Sequence, residues 1–169
     1  MMATPHMVVG AAIGRVLPRP WLVYPTALAS HFLLDIVPHI DSHGLFGVKL
    51  GGPTRLEAIS GIADFLVGAL VVGLLARRPP RRRVMLGGAL FAILIDLVEY
   101  VPPLGPWFRG WAGTAWLTRF HHRIQHNVPP AHWPVGAATQ VATLAVALAI
   151  CLVRRPRTEV AADRRTVAL

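Results

Sequence analysis

The residues that could do chemistry in this chain sit in two short, histidine-rich stretches of an otherwise apolar sequence. The first runs from Ser30 to His43 and holds His31, Asp35, His39, Asp41 and His43. His31 and Asp35 are four apart and share one face of a helix. Pro38 ends that helix, and His39, Asp41 and His43 fall at alternate positions of the loop beyond it. The second stretch, Phe120 to Asn127, holds His121, His122 and His126. His122 and His126 have i, i+4 spacing, a familiar way to hold zinc. Imidazole nitrogens and carboxylate oxygens are the usual ligands of zinc and of two-metal hydrolytic centres, and manganese accepts a similar set. A plainer reading makes these groups helix-end caps and hydrogen-bonding partners. His31 lies on an apolar helix face, where a histidine is more often a packing residue than a ligand.

The elements that must carry these groups are apolar helices. Of 169 residues, 54% are hydrophobic and 15% charged, less charge than a soluble domain usually has. The 17 Lys+Arg outnumber the 8 Asp+Glu, which in a soluble protein would suggest nucleic acid. Here the arginines cluster between apolar runs, which fits membrane topology and gives no nucleic-acid partner. The single Cys151 excludes an intrachain disulfide and cysteine-rich zinc sites. The N-terminal apolar run lacks a preceding basic region, so no cleavable signal peptide is expected. Thr4-Pro5 opens a first helix through Leu17, with Gly10 and Gly14 spaced for close helix packing. That helix is short for a bilayer. Spans are expected over 21–37, 56–76, 84–101 and 135–153. Trp107, Trp111, Trp116 and Trp133 give 102–134 an interfacial character, with a short helix over 114–125. The fold class is therefore all-α: an integral membrane helical bundle of four or five spans, its first helix short or re-entrant. It occupies 1–153, followed by a basic tail at 154–169.

Arg15, Arg19, the arginines of 77–83 and those of the tail then face the cytoplasm, as does the C-terminus. His6, Asp35, His39, Asp41, His43, Asp96, Glu99, His121, His122 and His126 all fall at the opposite ends of their segments, with Asp64 slightly deeper. Ionisable groups inside a membrane face a cavity or a partner. Asp35, Asp64 and Asp96 come from three different helices, so they are expected to converge on one polar cavity with His31 or His39. A metal ion would supply their counter-charge.

Taken together, three features resemble a known family. These are the Thr-x-His helix with its glycines, the Pro38-His39-Ile40-Asp41-Ser42-His43 stretch, and the His121-His122-Arg123 to His126 cluster before the last span. The family is the YdjM-type group of bacterial inner-membrane metal-dependent hydrolases, similar in pattern to zinc phospholipase C/D-like proteins. The resemblance covers the beginning and the later third of the chain. It implies metal ligation by His6, by His39, Asp41 and His43, and by His121 or His122 with His126, in a bacterial inner membrane.

The expected function is hydrolysis of an ester or phosphoester, lipid or lipid-linked, at the non-cytoplasmic side. A divalent metal, zinc before manganese, in a one- or two-metal site, would be held among His6, His39, Asp41, His43, Asp64, His121, His122 and His126. Asp35, Asp96 or Glu99 would act as general base or as support for the ligands, and Arg123 or Arg119 would hold a phosphate. No Gly-x-Ser-x-Gly motif supports serine chemistry. The alternatives are a small metal or proton transporter and a structural membrane subunit.

Overall fold

The computed structural model describes residues 1–41, 55–77, 81–101 and 103–153. His43 and the tail at 154–169 lie outside the described residues. Among those described, the fold is all-helical with no strand. Helix α1 is Ala3–Val16, α2 Pro20–Ile36, α3 Arg55–Leu75, α4 Arg82–Ala92, α5 Leu94–Tyr100, α6 Leu104–Gly110 and α7 Ala115–Ile124. A 3-10 turn at Pro130–His132 leads into α8, Trp133–Leu152.

The short first helix is the centre of the molecule. At 1.5 Å per residue α1 is about 21 Å long, and it packs against α2, α3, α4 and α8. Its glycines make this possible. A Cβ on Gly10 would stand 2.3 Å from the Gly88 carbonyl oxygen, and one on Gly14 would stand 2.7 Å from that of Val84. Gly88 returns the contact at 2.3 Å from the Gly10 oxygen. The α1–α4 interface is thus backbone against backbone, as the Gly10/Gly14 spacing predicts. Val8, Ala11, Ala12, Val72, Met85 and Ala89 fill the interior around it.

Two ends follow from this packing. At one end the Arg15 guanidinium donates to the Val153 carbonyl (2.6 Å) and Arg81 donates to the Pro18 carbonyl (3.1 Å), so the described basic turns meet there. The histidines and most of the acids gather at the other. The outer surface is apolar: Leu56, Ile59, Ile62, Leu66 and Leu70 of α3 and Val135, Val141 and Val146 of α8 are exposed. Helices α3 and α8 are long and apolar enough to cross a membrane.

Two local differences from the sequence reading matter for the site. The stretch 84–101 is expected as one helix, yet it breaks at Ile93 (φ −117°, ψ 7°). The 102–134 segment also contains α6, which the proline- and glycine-containing Leu104–Gly110 sequence conceals. The end of α2 behaves as Pro38 requires: Ile36 is the last helical residue and Val37 is extended.

Candidate metal centre

A short backbone ladder joins the two histidine stretches. The His126 N–H donates to the Asp35 carbonyl (2.8 Å), that of His39 to the His126 carbonyl (3.1 Å), and that of Val128 to the His39 carbonyl (2.9 Å). This clip holds the end of α2 beside the segment that follows α7. It turns His31, Asp35 and His121 toward one another, all fully buried.

Hydrogen bonds on the far sides of the rings set the chemistry of these three. His31 Nδ1 lies 2.7 Å from the Ala92 carbonyl, an acceptor that the break after α4 presents. A carbonyl only accepts, so Nδ1 carries the proton and Nε2 is a lone pair. His121 Nδ1 lies 3.3 Å from Glu99 Oε2, which likewise makes it the donor. The Nε2 atoms then face each other at 3.1 Å. Asp35 Oδ2 stands 3.3 Å from the first and 3.1 Å from the second. Asp96 Oδ1 is 3.8 Å from both. Two lone pairs and a carboxylate oxygen at these distances repel unless a positive species lies among them. A proton on His121 is one such species. Burial alone would lower the His121 pKa, but its bonds to Asp35 and Glu99 outweigh that and push it up to about 9. A metal ion is the other. Atoms bound at about 2.0–2.1 Å to a tetrahedral ion lie roughly 3.3 Å apart, the spacing seen here. His31, Asp35 and His121 form one potential ligand triad.

Partners hold each of these groups from behind. Glu99 is buried, and its Oε2 also meets His122 Nε2 at 3.0 Å, while His122 itself is 51% exposed. Glu99 thus orients His121, in the carboxylate–histidine arrangement common behind metal ligands. The Arg109 guanidinium donates to the Glu99 backbone carbonyl. Gln125, four residues after His121 on the same side of the chain, places its amide 3.2 Å from His121 Nε2.

The other expected site residues are distributed differently. His6 Nε2 reaches Asp35 Oδ1 at 3.2 Å, so α1 does contribute to the cluster. Asp64 Oδ2 accepts from the Thr4 N–H (3.1 Å) and its carbonyl from the Thr4 hydroxyl (2.8 Å), anchoring the start of α1. His39 is fully buried; its Nδ1 donates to the Val37 carbonyl (2.7 Å), and burial holds its pKa below the ordinary value. Asp41 accepts from the Asn127 amide (2.7 Å). His126 contributes backbone to the ladder while the residue is exposed, because α7 ends at Ile124 and removes the helical i, i+4 relation to His122. Arg123 is exposed on α7. Among the described residues, no potential ligand triad contains His39, Asp41, Asp64 or His126. The sequence reading placed His31 or His39 with the acids and favoured a packing role for His31; its i, i+4 relation to Asp35 was the signal for the group in which it stands.

A cavity of about 540 Å³ adjoins the cluster. It touches the site through Asp96 and Gln125, and it includes Asp41 and Asp64. Ile62 and Phe65 of α3 and Leu97 of α5 give it apolar walls. Ile62 is also exposed on the outer surface, so the cavity lies next to the apolar exterior. Asp64 and Asp96 therefore share this cavity, with Asp35 buried behind it.

Comparison with protein-family models, curated proteins and solved structures gives no match.

Proposed function

We propose that the protein is a membrane-embedded, metal-dependent hydrolase acting on an ester or phosphoester of a lipid-like substrate. The observation that carries this reading is the facing pair of His31 and His121 Nε2 atoms beside Asp35 Oδ2, in contact through Asp96 with an apolar-walled cavity. Two imidazoles and a carboxylate make the kind of ligand set found in catalytic metal sites. A divalent cation there supplies Lewis-acid polarisation of an ester or phosphoryl oxygen and acidifies water.

The chain's own groups do the rest. Glu99 and the Ala92 carbonyl hold the Nδ1 protons, so Nε2 is the atom each ring would offer a cation. Asp96, 26% exposed and lining the cavity, is the carboxylate that an entering water meets, and it accepts that water's proton. Ile62, Phe65 and Leu97 receive an apolar chain arriving from the exterior. The resemblance to the YdjM-type family implies the same kind of activity but another ligand set, of which only His6, His121 and His122 fall in potential ligand groups among the described residues.

The membrane assignment rests on inverted polarity. Buried histidines and acids inside, with exposed leucine, isoleucine and valine outside, are costly in water and favourable in lipid. We read α2, α3, the α4–α5 pair and α8 as spans, α1 as a shielded central helix and α6–α7 as interfacial. The arginine end faces the cytoplasm. A transport path would need polar groups through that end as well. There the interior among the described residues is packed with Ala11, Ala12, Met85 and Ala89, which favours an enzyme.

The test is hydrolysis of chromogenic phosphoester and carboxylester amphiphiles by detergent-purified protein. Activity should be lost with a chelator and restored by zinc or manganese. A protein that binds neither metal would overturn the reading.

A further inference from the structure

The outward face of α7 carries a stripe of its own. Trp116, Arg119, Phe120 and Arg123 follow i, i+3, i+4, i+7 spacing and so share one side of the helix. All four are exposed, Trp116 at 58% and Phe120 at 46%. Thr118 and His121, on the reverse side, are buried. At about 100° per residue, Arg119 and Arg123 each lie about 160° round the helix from His121. The two guanidiniums therefore face away from the buried cluster.

Their own stretch of chain offers no counter-charge. Residues 102–153 contain no Asp or Glu. Glu99, the acid that precedes this stretch, is buried and turns its carboxylate to His121 and His122. A solvated helix face usually mixes both signs of charge. This one joins positive charge to aromatic rings. Trp107 and Trp111, stacked with centroids 5.4 Å apart and both exposed, extend the aromatic surface just before α7. Tryptophan at a bilayer sits at headgroup depth, and a guanidinium pairs with phosphate through two parallel hydrogen bonds.

We propose that this stripe is a docking surface for anionic phospholipids of the surrounding bilayer. Arg119 and Arg123 take the headgroup phosphate, and Trp116 and Phe120 lie against the upper acyl chains. The proposal rests on the membrane assignment above and is independent of the metal centre. Charge complementarity selects the occupant. A zwitterionic headgroup brings its own ammonium, which competes with the guanidiniums for the phosphate; an anionic one does not. The docked lipid holds α7 at headgroup depth, with His121 on its reverse face.

Tryptophan quenching reads this end of the protein alone once Trp21 is replaced, because the remaining tryptophans all lie within 107–133. The full chain carrying Trp21→Phe is reconstituted into phosphatidylcholine vesicles. These contain equal fractions of either phosphatidylglycerol or phosphatidylcholine, brominated near the head of the acyl chains. Quenching should show brominated phosphatidylglycerol enriched at least about threefold over brominated phosphatidylcholine. Adding Arg119→Gln and Arg123→Gln should bring the two lipids to parity, with helical circular dichroism unchanged. Adding Arg82→Gln and Arg83→Gln instead, the same loss of charge on exposed residues of the other end, should leave the enrichment in place. Equal quenching by both lipids with all arginines present would overturn the proposal while leaving the membrane assignment intact. Enrichment that survives the Arg119→Gln/Arg123→Gln pair, or that the Arg82→Gln/Arg83→Gln pair also abolishes, would overturn it too. Quenching by neither lipid would overturn the membrane assignment as well.

Discussion

Two imidazole lone pairs 3.1 Å apart beside a carboxylate oxygen define what this cluster asks of its surroundings. A proton on His121 answers it, and for the proposed metal to bind that proton would have to leave. The His121 pKa is raised to about 9, so the ring is protonated at neutral pH. Metal affinity should therefore rise about tenfold per pH unit from pH 7 toward 9 and level off above. The linked stability has the opposite sign. A group whose pKa is higher in the folded state stabilises the fold fully below its unfolded value near 6.5 and loses that contribution as pH rises through about 9. Metal-free protein should thus melt at lower temperature at pH 9 than at pH 6.5. Competition titrations with a chromophoric chelator and thermal melts across this range check both. An affinity flat with pH would contradict the protonated His121. Glu99→Gln keeps the shape of the partner but weakens its hold on His121 Nδ1. It should lower metal affinity by about 10–100-fold with the helices intact on circular dichroism. At this scale the sequence was only partly legible. Residue types and their shared end could be read from spacing. The spacing of His31 and Asp35 could be read too, but not which ring nitrogen His31 turns toward Asp35, because that depends on a carbonyl from a distant helix, Ala92.

That carbonyl is a property of an element. The 84–101 stretch carries no proline that would mark a break, and its apolar run reads as continuous, so the interruption at Ile93 arises from packing. The His39–Asn127 bridge was hidden for a related reason: the pairing of a helix exit with a loop 88 residues on is a tertiary event. The α1–α4 contact, by contrast, was readable from Gly10 and Gly14. It gives a paired prediction. Gly10→Leu forces a side chain into the Gly88 backbone and should destabilise the protein by about 1–3 kcal/mol or more. Gly73→Ala, in α3 with nothing within 4 Å of its added carbon, should stabilise it by about 0.5–1 kcal/mol. Thermal unfolding in detergent separates them. Equal effects would contradict the close approach of α1 and α4.

Among the described residues an apolar core coexists with buried His6, His31, His39, His121, Asp35 and Glu99, while many aliphatic side chains of α3 and α8 are exposed. Hydropathy made the apolar runs legible, and the spacing of the arginines suggested a common end. That α1 lies at the centre was not legible, because its contacts with α2, α3, α4 and α8 are tertiary. The membrane reading predicts that cysteines introduced at Arg77 and Trp111 label from opposite sides of sealed vesicles, while one at Val146 resists aqueous maleimide. Labelling of Arg77→Cys and Trp111→Cys from the same side would contradict the proposed orientation of the bundle.

The most direct measurement is metal content per chain in wild type, His31→Ala and His126→Ala, purified identically with zinc and manganese supplied. His31→Ala should lose the ion shared with His121. His126→Ala should keep wild-type metal, since His126 gives the site only its backbone. Full metal in His31→Ala together with loss in His126→Ala would contradict the centre described here.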